Sequence, residues 1–415
     1  MQYDLYKVTW LSILQKGVVK ANTSPEISWS SSGIRMALKS YKVLVLPGDH
    51  VGPEIIDEAV KLIKIITEHE KVKNSLALQL DFDLFGGASI DKHNTPITKE
   101  VLAKARESDA VLFGAVGGPE WENHPSGVRA ESAVLALRKE LNCWANIRPC
   151  KIPSESLINL SALKPDLIRG TDFVVLRENC GGAYFGEKIE TDDYAADTWG
   201  YKKSEVERIT EMAVYLASKH NNRIISCDKA NVLAVSRLWR RVVESVVAKY
   251  PHIQLSHQLA DSATVIMMQK PTSLNGVLLC DNTFGDILSD QSAVIVGSLG
   301  LLPSASLSQV PGKVNHGDTT KPAHALYEPS HGSAPDLPKG AVNPVATILS
   351  GALMFRYSFD REDIAVIIEH AVKKVLDSKD QGGLEVRTRD LGGRASTSEV
   401  SDAICAQVKE SLDRL

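Results

Sequence analysis

The pattern of hydrophobic and polar positions predicts alternating strands and helices from residue 41 onward. An apolar run at 42–46 predicts a first strand, and apolar residues then recur at helical spacing after Pro53. Further strands are predicted at 78–84, 110–113, 173–176, 223–226, 253–258 and 277–280. Helices are predicted at 98–106, 131–141, 204–220 and 232–250, with three more after residue 344. This alternation predicts an α/β fold with mostly parallel strands.

Composition narrows the class of protein. The 415 residues are 43% hydrophobic and 24% charged, with a net charge of −4, as expected of a globular protein with two or three domains' worth of core. This balance indicates neither a nucleic-acid partner nor a membrane surface. No run of about 18 apolar residues occurs, so no transmembrane helix is predicted. The six cysteines form no C-x-x-C pair and are predicted to be buried thiols in a reducing compartment.

The first 35 residues differ from the rest, because they contain only two acidic residues, Asp4 and Glu26. A transit peptide would be poor in acidic residues, but it would also be rich in arginine, and this segment has a single one. We therefore predict a disordered extension over 1–35, and Met36 would suit a native N-terminus. The predicted compartment is the cytosol, with mitochondria as the alternative.

Two carboxylates follow the predicted strand at 277–280. Asp286 and Asp290 are four residues apart, so a helix starting after the strand would place both on one face. Their oxygens would suit Mg²⁺ or Mn²⁺ rather than Zn²⁺. The alternative is that both are simply favoured by the helix dipole in a first turn. Taken alone, this segment favours the second interpretation.

Three arginines follow strand-like or helix-like runs, namely Arg138, Arg148 and Arg177. The planar guanidinium matches a carboxylate in bidentate geometry, so three of them would suit a di- or tricarboxylate substrate. A structural salt bridge is the alternative for each one. Arg177 is the hardest to explain in that way, because it comes directly after four apolar residues and needs a partner.

Three more residues carry candidate chemistry. Lys229 follows a buried strand and could serve as a base, or be a solvated residue at a helix start. Asp261 is a third carboxylate at a strand end and could complete a cation site. Tyr184 lies in a predicted glycine-flanked hairpin, where its phenol could be a general acid or an interface residue.

The first strand is not followed by G-x-G-x-x-G, so an ordinary Rossmann dinucleotide site is not supported. The segment 328–336 is instead rich in small and polar residues, and its backbone amides could approach a phosphate closely. Asp336 could accept hydrogen bonds from a ribose diol and would repel a 2′-phosphate, which favours NAD over NADP.

These motifs together resemble the 3-isopropylmalate dehydrogenases of fungi, within the isocitrate/isopropylmalate dehydrogenase family of β-decarboxylating enzymes. The resemblance extends from about residue 42 to the C-terminus, and residues 1–35 have no counterpart in it. It rests on the segments 46–52, 114–119, 145–149, 228–233, 282–290, 297–305 and 328–336.

The resemblance implies a two-domain fold with a non-Rossmann NAD site. Residues 36–143 plus 297–415 would form a discontinuous NAD-binding domain, and residues 144–296 a domain for dimerisation and for binding metal and substrate. The homodimer would share its active sites, with Lys229 and Asp261 supplied by the partner subunit.

The resemblance also implies a role for each matching residue. The metal ligands would be Asp261, Asp286 and Asp290, the catalytic residues Lys229 and Tyr184, and the carboxylate-binding residues Arg138, Arg148 and Arg177. Glu131, Val134, Leu135 and Asp261 would also contact the substrate. The cofactor would be held by Glu328, His331, Gly332, Ser333, Ala334, Asp336 and Asn343.

The implied reaction is NAD-dependent oxidative decarboxylation of 3-isopropylmalate to 2-oxoisocaproate, a step of leucine biosynthesis, with Mg²⁺ or Mn²⁺. Apolar Val134 and Leu135 favour an alkyl substituent over a third carboxylate. Family members usually have Gly and Leu where this chain has Ala133 and Val134, so a secondary-metabolism paralogue with a bulkier 2-substituted malate is the alternative. A silent homologue kept as an assembly subunit is a third interpretation, and the complete set of catalytic residue types opposes it.

Overall fold

The computed structural model describes residues 38–122, 128–312 and 323–415, and the predicted extension 1–35 lies outside them. Twelve strands occur in the described residues: β1 (Lys39–Gly48), β2 (Leu76–Phe82), β3 (Ala110–Ala115), β4 (Ala145–Lys151), β5 (Asp172–Glu178), β6 (Lys188–Glu190), β7 (Ala195–Asp197), β8 (Arg223–Asp228), β9 (Gln254–Leu259), β10 (Gly276–Cys280), β11 (Pro303–Leu307) and β12 (Ala325–Pro329).

The same residues form thirteen α-helices: α1 (Val51–Glu68), α2 (Gly87–His93), α3 (Lys99–Glu107), α4 (Pro119–Glu122), α5 (Ser132–Glu140), α6 (Pro165–Ile168), α7 (Lys203–Lys219), α8 (Ala234–Val247), α9 (Ala260–Gln269), α10 (Asn282–Val296), α11 (Val345–Tyr357), α12 (Glu362–Leu376) and α13 (Thr397–Asp413). The α/β fold class predicted from the sequence is confirmed.

Ten of the strands form one sheet in the order β2-β1-β3-β12-β11-β4-β5-β10-β8-β9. Pairing is parallel on both flanks, and the three pairings in the middle, β12 with β11, β11 with β4 and β4 with β5, are antiparallel. Strands β5, β10, β8 and β9 are parallel to one another, so their carboxyl ends lie at the same edge of the sheet. This edge positions most of the candidate site residues.

The two flanks of the sheet come from different parts of the chain. Strands β4, β5, β8, β9 and β10 fall within the predicted segment 144–296, and β1, β2, β3, β11 and β12 fall within the other segments. The division into two domains at these boundaries stays a prediction.

Helices cover the sheet with apolar faces, as their periodicity predicts. The helix α11 is buried almost all round and packs against β11, β12, α1 and α12. An apolar stripe on α1 packs against β1, β3 and α13. These contacts bury the strand residues that read as apolar runs in the sequence.

Two glycines at the ends of β1 and β3 serve strand packing. A Cβ built on Gly48 would lie 2.0 Å from the Ala115 carbonyl oxygen, and its φ of +75° also disfavours any side chain. A Cβ on Gly114 would lie 2.4 Å from the Pro47 carbonyl oxygen. The turn thus brings β1 and β3 into close contact, which accounts for glycines there without a phosphate-binding role.

Several elements differ from the sequence prediction. The helix α9 and the strands β4, β11 and β12 had no counterpart among the predicted elements. Arg148 lies inside β4 rather than after a strand. Tyr184 was expected in a hairpin, but it lies in a short 3-10 turn over Gly182–Tyr184, while the hairpin β6–β7 follows at 188–197.

All six cysteines are unpaired, and five of them are buried, as predicted; Cys180 is partly exposed. Burial raises the pKa of the Cys150 thiol to about 12, so this thiol is not a reactive nucleophile at neutral pH. Within the described ranges, no helix combines the length and apolar character needed to cross a membrane.

Candidate active site

The helix α10 begins at the carboxyl end of β10 and carries the two predicted metal ligands. Asp281 caps the helix, and its side chain accepts a hydrogen bond from the Phe284 backbone N–H at 2.9 Å. Asp286 is partly buried and Asp290 is exposed, one turn apart on the helix. The cap therefore fixes where the helix starts and, with it, the face that both carboxylates share.

Asp286 receives two side chains from β5 and the turn that follows it. A guanidinium nitrogen of Arg177 forms an ion pair with Asp286 Oδ1, and the Tyr184 hydroxyl donates to Asp286 Oδ2 at 3.0 Å. The Arg177 guanidinium also lies 5.8 Å from the centre of the Tyr184 ring. One carboxylate thus holds together a candidate substrate-binding residue and a candidate acid.

Arg148 reaches the next turn of the same helix. Its Nη1 lies 3.0 Å from Asp290 Oδ1 and 2.9 Å from Ser289 Oγ, and its Nε donates to Asn146 Oδ1 at 2.9 Å. Asp286 and Asp290 are therefore each paired with an arginine from a neighbouring strand of the sheet.

Arg138 lies in the last turn of α5 and pairs with Glu328 at the end of β12, with 2.7 Å between Nη2 and Oε1. Both side chains are nearly buried, and the buried Arg138 Nε has no hydrogen-bond partner among the described residues. A buried N–H without an acceptor is unfavourable by about 1–3 kcal/mol. This donor fits an anionic ligand such as a substrate carboxylate.

The three guanidinium groups influence one another. Burial lowers the pKa of Arg177 to about 10; the charge of Asp286 raises it, and the charges of Arg148 and Arg138 lower it further. Arg177 still carries its charge at neutral pH. The cluster therefore concentrates positive charge in a largely buried place, where it would bind a polyanionic substrate strongly.

A layer of buried polar groups lies behind Arg177. Glu178 is fully buried and pairs with Arg208 at 3.1 Å, while Trp199 donates to Asp281 at 3.2 Å. Burial raises the pKa of Asp281 to about 7, and the neighbouring Glu178 contributes in the same direction. Burial likewise raises the pKa of Glu178.

Lys229 and Asp261 form a separate pair. Lys229 follows β8, Asp261 opens α9 after β9, and the Lys229 Nζ lies 2.7 Å from Asp261 Oδ1. Asp261 remains largely exposed. No group of three or more His, Cys, Asp or Glu side chains within the described ranges could hold a metal ion, so Asp261 does not join Asp286 and Asp290 in a single chain.

The predicted substrate-pocket residues lie on α5 and just before it. Val134 is partly buried, whereas the side chain of the next residue, Leu135, is exposed. The Glu131 carboxylate lies against the backbone of Gly117, where a Cβ would come within 2.4 Å of Glu131 Oε1. Val134, Leu135 and Arg138 thus lie on the same short helix, and Glu131 lies just before it.

The predicted cofactor loop follows β12. His331 Nδ1 lies 2.8 Å from the Gly332 carbonyl oxygen, so Nδ1 must donate there and Nε2 of the neutral ring is an acceptor. Burial lowers the pKa of His331, which favours the neutral ring, and Nε2 is buried without a partner among the described residues. This acceptor fits a donor group of a nucleotide.

Other parts of this loop are anchored to neighbouring segments. The Ser333 hydroxyl donates to the Gly117 carbonyl oxygen at 2.6 Å, and the Asn343 amide donates to Asp390 at 2.9 Å. Ala334 has a φ of +44°, and Asp336 is exposed beside it. Gly332 is also exposed, so the loop presents backbone and the Asp336 carboxylate toward solvent.

Sequence reasoning did not identify four buried residues that support the site, namely Asn146, Glu178, Asp281 and Asn282. Asn146 precedes Arg148 by two residues, so strand periodicity alone places both on one face of β4. Asp281 precedes a helix start and matches the preference for an N-cap aspartate. Glu178 and Asn282 gave no such signal, because their partners lie far away in sequence.

Comparison with known proteins gives consistent results. A family model described as isocitrate/isopropylmalate dehydrogenase matches residues 42–404. A 3-isopropylmalate dehydrogenase of Hapsidospora chrysogena is 51% identical over 377 residues, covering 88% of this chain and 96% of that protein. One from Schizosaccharomyces pombe is 49% identical over 377 residues, covering 89% of this chain and 99% of that protein.

Solved structures agree with the sequence relatives. A β-decarboxylating dehydrogenase from Thermococcus kodakarensis, in its apo form, has a TM-score of 0.70 and 34% identity, and covers 90% of this chain and 97% of its own. An isocitrate dehydrogenase from Methylococcus capsulatus has a TM-score of 0.73 and 29% identity, covering 89% and 99% respectively.

Proposed function

The chain belongs to the isocitrate/isopropylmalate dehydrogenase family, and from this premise we propose the reaction, the site and the partners of this enzyme. It catalyses the NAD-dependent oxidative decarboxylation of 3-isopropylmalate to 2-oxoisocaproate, a step of leucine biosynthesis. About half of its residues are identical, over most of the chain, to fungal enzymes named for that substrate. The observation that carries the proposal within the molecule is the convergence of Arg138, Arg148 and Arg177 beside Asp286 and Asp290.

The arginines bind the two carboxylates of the malate. Hydrogen bonds to Asn282 and Asp286 use two of the five N–H donors of Arg177, so the rest of the fork can bind an anion. Arg138 offers its buried Nε in the same way. Fixing both carboxylates orients the substrate carbon that loses hydrogen and the carbon that loses carbon dioxide.

Asp286 and Asp290 of one subunit and Asp261 of the other fit a hard divalent cation, because all their donor atoms are oxygens. Asp286 and Asp290 each form an ion pair with an arginine in this chain, and these contacts with positive charge support the proposed cation site. A bound Mg²⁺ or Mn²⁺ supplies the Lewis acidity that stabilises negative charge on the substrate oxygens.

Two side chains move protons. Lys229, oriented by Asp261, takes the proton of the C2 hydroxyl. Tyr184 returns a proton to C3 after the carboxylate there has left as carbon dioxide. Burial raises the pKa of Tyr184, and the Asp286 carboxylate raises it further, so the phenol keeps its proton at neutral pH and can act as an acid.

The loop after β12 holds the cofactor. Bound NAD supplies the hydride acceptor for the C2 hydrogen. His331 offers an acceptor at Nε2 that no described residue uses, and the exposed Asp336 offers a carboxylate to a ribose diol. Glu328, Gly332, Ser333, Ala334 and Asn343 shape this loop. The ion pair between Glu328 and Arg138 connects the cofactor loop to the substrate arginines.

The working form is a homodimer with shared active sites. Lys229 and Asp261 pair with each other, and no group of three His, Cys, Asp or Glu side chains in the described part of one chain could hold a metal ion, which supports a site completed by a second copy. The dimerisation and metal domain over 144–296, the NAD-binding domain over 36–143 plus 297–415 and a cytosolic compartment belong to the same proposal.

A paralogue acting on a bulkier malate receives no support. The curated relatives at about half identity are 3-isopropylmalate dehydrogenases. We therefore do not retain that alternative.

The test is NADH formation by the purified protein with a panel of 3-substituted malates, with and without Mg²⁺. We expect the largest kcat/KM for 3-isopropylmalate, and loss of turnover after chelation. A preference for isocitrate or 3-benzylmalate would refute the proposed substrate, and metal-independent turnover would refute the proposed cation site.

A further inference from the structure

Two fully buried asparagines each hold one of the site arginines by the same atom. Asn146 Oδ1 accepts a hydrogen bond from Arg148 Nε at 2.9 Å, and Asn282 Oδ1 accepts one from Arg177 Nε at 2.9 Å. Both asparagines have 0% exposure. Among the described residues, neither side chain forms a hydrogen bond with Asp286 or Asp290.

Each of these contacts fixes the plane of a guanidinium. Arg148 is held at Nε by Asn146 and at Nη1 by Asp290, and Arg177 is held at Nε by Asn282 and at a terminal nitrogen by Asp286. Two contacts on different atoms of a rigid planar group leave it one orientation. The remaining donors of each fork then point in a set direction.

The two asparagine amides are themselves held so that the oxygen faces the arginine. The Nδ2 of Asn282 donates to the Gly181 carbonyl oxygen at 2.9 Å, and its backbone N–H donates to Tyr201 Oη at 2.9 Å. Because the Gly181 carbonyl oxygen can only accept a hydrogen bond, the Asn282 atom that faces it must be the amide nitrogen. The Asn282 Oδ1 therefore faces Arg177.

Asn146 is held by the neighbouring strand. Its Nδ2 donates to the hydroxyls of Ser304 and Ser306 on β11, each at 2.9 Å. The two serines lie two residues apart on one face of β11, next to β4 in the sheet. Arg148 is thereby connected to the flank of the sheet that comes from the other part of the chain.

Arg138, in contrast to Arg148 and Arg177, has no asparagine at its Nε. Its buried Nε has no partner among the described residues, and only its ion pair with Glu328 orients it. Two of the three arginines are thus preorganised by asparagine, while the third keeps a free donor for the ligand.

We propose that Asn146 and Asn282 are positioning residues for the reaction, which aim the Arg148 and Arg177 guanidinium groups at the substrate carboxylates through their Nε atoms. This inference rests on the proposed function. Asn282 has an additional effect, because its bond to Gly181 fixes the start of the turn that carries Tyr184.

Asn146→Leu and Asn146→Asp test the first contact. Leucine removes the acceptor, whereas aspartate keeps an oxygen for Arg148 Nε and can accept from the Ser304 and Ser306 hydroxyls after these rotate. We expect Asn146→Leu to lower kcat/KM by about 10–100-fold, mostly through KM. The aspartate variant should recover most of that loss.

A double-mutant cycle with Arg148→Lys distinguishes positioning from simple structural support, because lysine has no Nε–H for Asn146 to hold. Asn146→Leu should therefore change kcat/KM by less than about threefold in the Arg148→Lys background. Equal fold-changes in both backgrounds, or failure of Asn146→Asp to recover activity, would overturn the inference for Asn146.

Asn282→Asp separates the two contacts of the second asparagine. The carboxylate still accepts from Arg177 Nε but loses the donor to Gly181, so KM should stay within about threefold of wild type while kcat falls more than KM rises. Asn282→Leu should raise KM as well. A change confined to thermal stability in both variants would overturn the role of Asn282.

The matched control is Asn275→Leu, at the opposite end of β10. Asn275 also bridges two backbone groups, since it accepts from Asp172 N–H and donates to the Gly170 carbonyl oxygen, each at 2.8 Å, but it touches no site arginine. Asn275→Leu should alter the unfolding temperature without altering KM.

The same measurements distinguish failure of the positioning inference from failure of the proposed function. If wild type itself fails to oxidise 3-isopropylmalate, the proposed function fails. If wild type is active and the Asn146 and Asn282 variants match the Asn275→Leu control, only the positioning inference fails.

Discussion

The backbone of Gly285 lies directly against the side chain of Arg177. A Cβ added at Gly285 would come within 2.7 Å of both Cβ and Cγ of Arg177, closer than such atoms approach in proteins. The helix that carries Asp286 and Asp290 can therefore approach the end of β5 only because position 285 has no side chain.

Gly285→Ala should displace either Arg177 or α10. We expect a loss of about 1–3 kcal/mol in unfolding free energy, as for other overpacked sites. The value of kcat/KM should also fall at least tenfold, because Arg177 and Asp286 both shift. Thermal unfolding and steady-state kinetics measure the two effects.

The matched control for this variant is Gly351→Ala in α11. A Cβ at Gly351 meets nothing within 4 Å, so alanine should stabilise the helix by up to about 1 kcal/mol and leave kinetics unchanged. If Gly285→Ala behaved like Gly351→Ala, the close packing of α10 on Arg177 would not matter for function.

Tyr184→Phe should remove the acid while keeping the ring beside Arg177. We expect kcat to fall by about 10²–10⁴-fold, with little change in KM for the malate. Since the Tyr184 pKa is raised above its ordinary value by burial and by Asp286, wild-type activity should not be limited by loss of this proton below pH 10 or so. A pH profile of kcat measures this.

Tyr41→Phe is the control for the loss of a phenol. Tyr41 packs against Phe359 with ring centres 4.7 Å apart, near the start of β1. We expect wild-type kcat for this variant. An unchanged kcat in Tyr184→Phe as well would assign proton return to another group.

Ionisation of the buried Asp281 carboxyl should lower the stability of the protein as the pH rises. Its pKa is raised by burial to about 7 in the folded chain, against 3.8 in the unfolded chain, so the folded state holds this proton more tightly. The resulting stability is fully present below about pH 4 and is lost as the pH rises through about 7.

Asp281→Asn removes this dependence, and asparagine can still cap α10. The variant should therefore gain stability relative to wild type between pH 4 and pH 8, by at most about 4 kcal/mol. Denaturant unfolding at both pH values measures the gain, with Asp57→Asn on the exposed face of α1 as the control. A difference between variant and wild type that did not grow with pH would contradict the raised pKa.

Asp286→Asn should abolish metal-dependent turnover without unfolding the protein. The amide is a weaker ligand for a hard cation, and it also loses the ion pair with Arg177. We expect at least a hundredfold lower kcat/KM at saturating Mg²⁺, with a far-UV spectrum like that of wild type. Full activity of the variant after chelation would show that Asp286 binds no metal.

Mixing two inactive variants tests whether the active sites are shared. Lys229→Met and Asp286→Asn remove groups that are proposed to come from different subunits to each site. A mixed dimer would contain one site with both defects and one intact site. After unfolding and refolding together, half of the dimers are mixed, so we expect about a quarter of wild-type activity. Refolding each variant alone is the control, and no recovery in the mixture would place both groups in the same chain.

Much of this architecture follows from local pattern. The strands β1, β3, β5, β8 and β10 are readable because each is a continuous apolar run, and the long helices because their apolar residues recur every 3.6 positions. The site residues were also predicted from the sequence, because its motifs resemble those of the family. The helix α9 and the strand β4 were not predicted, because polar residues interrupt their apolar positions.

The pairing of strands could not be read in this way. The strands β11 and β12 insert between β3 and β4 although about 150 residues separate them from that part of the chain. The antiparallel pairing of β4 with β5 then reverses the direction of β5, β10, β8 and β9 relative to the other flank. Such contacts depend on which surfaces are left to bury once the local elements exist.

The sequence by itself determined most of the elements, the family and the chemical types of the site residues, because each depends on residue identity and on spacing within a few turns. Only the tertiary structure decided that Asn146 holds Arg148, that Asn282 holds Arg177 and that Gly285 allows α10 to approach. Hydrogen bonds and close packing act over a few ångströms of space, so they depend on how distant segments meet rather than on their order along the chain.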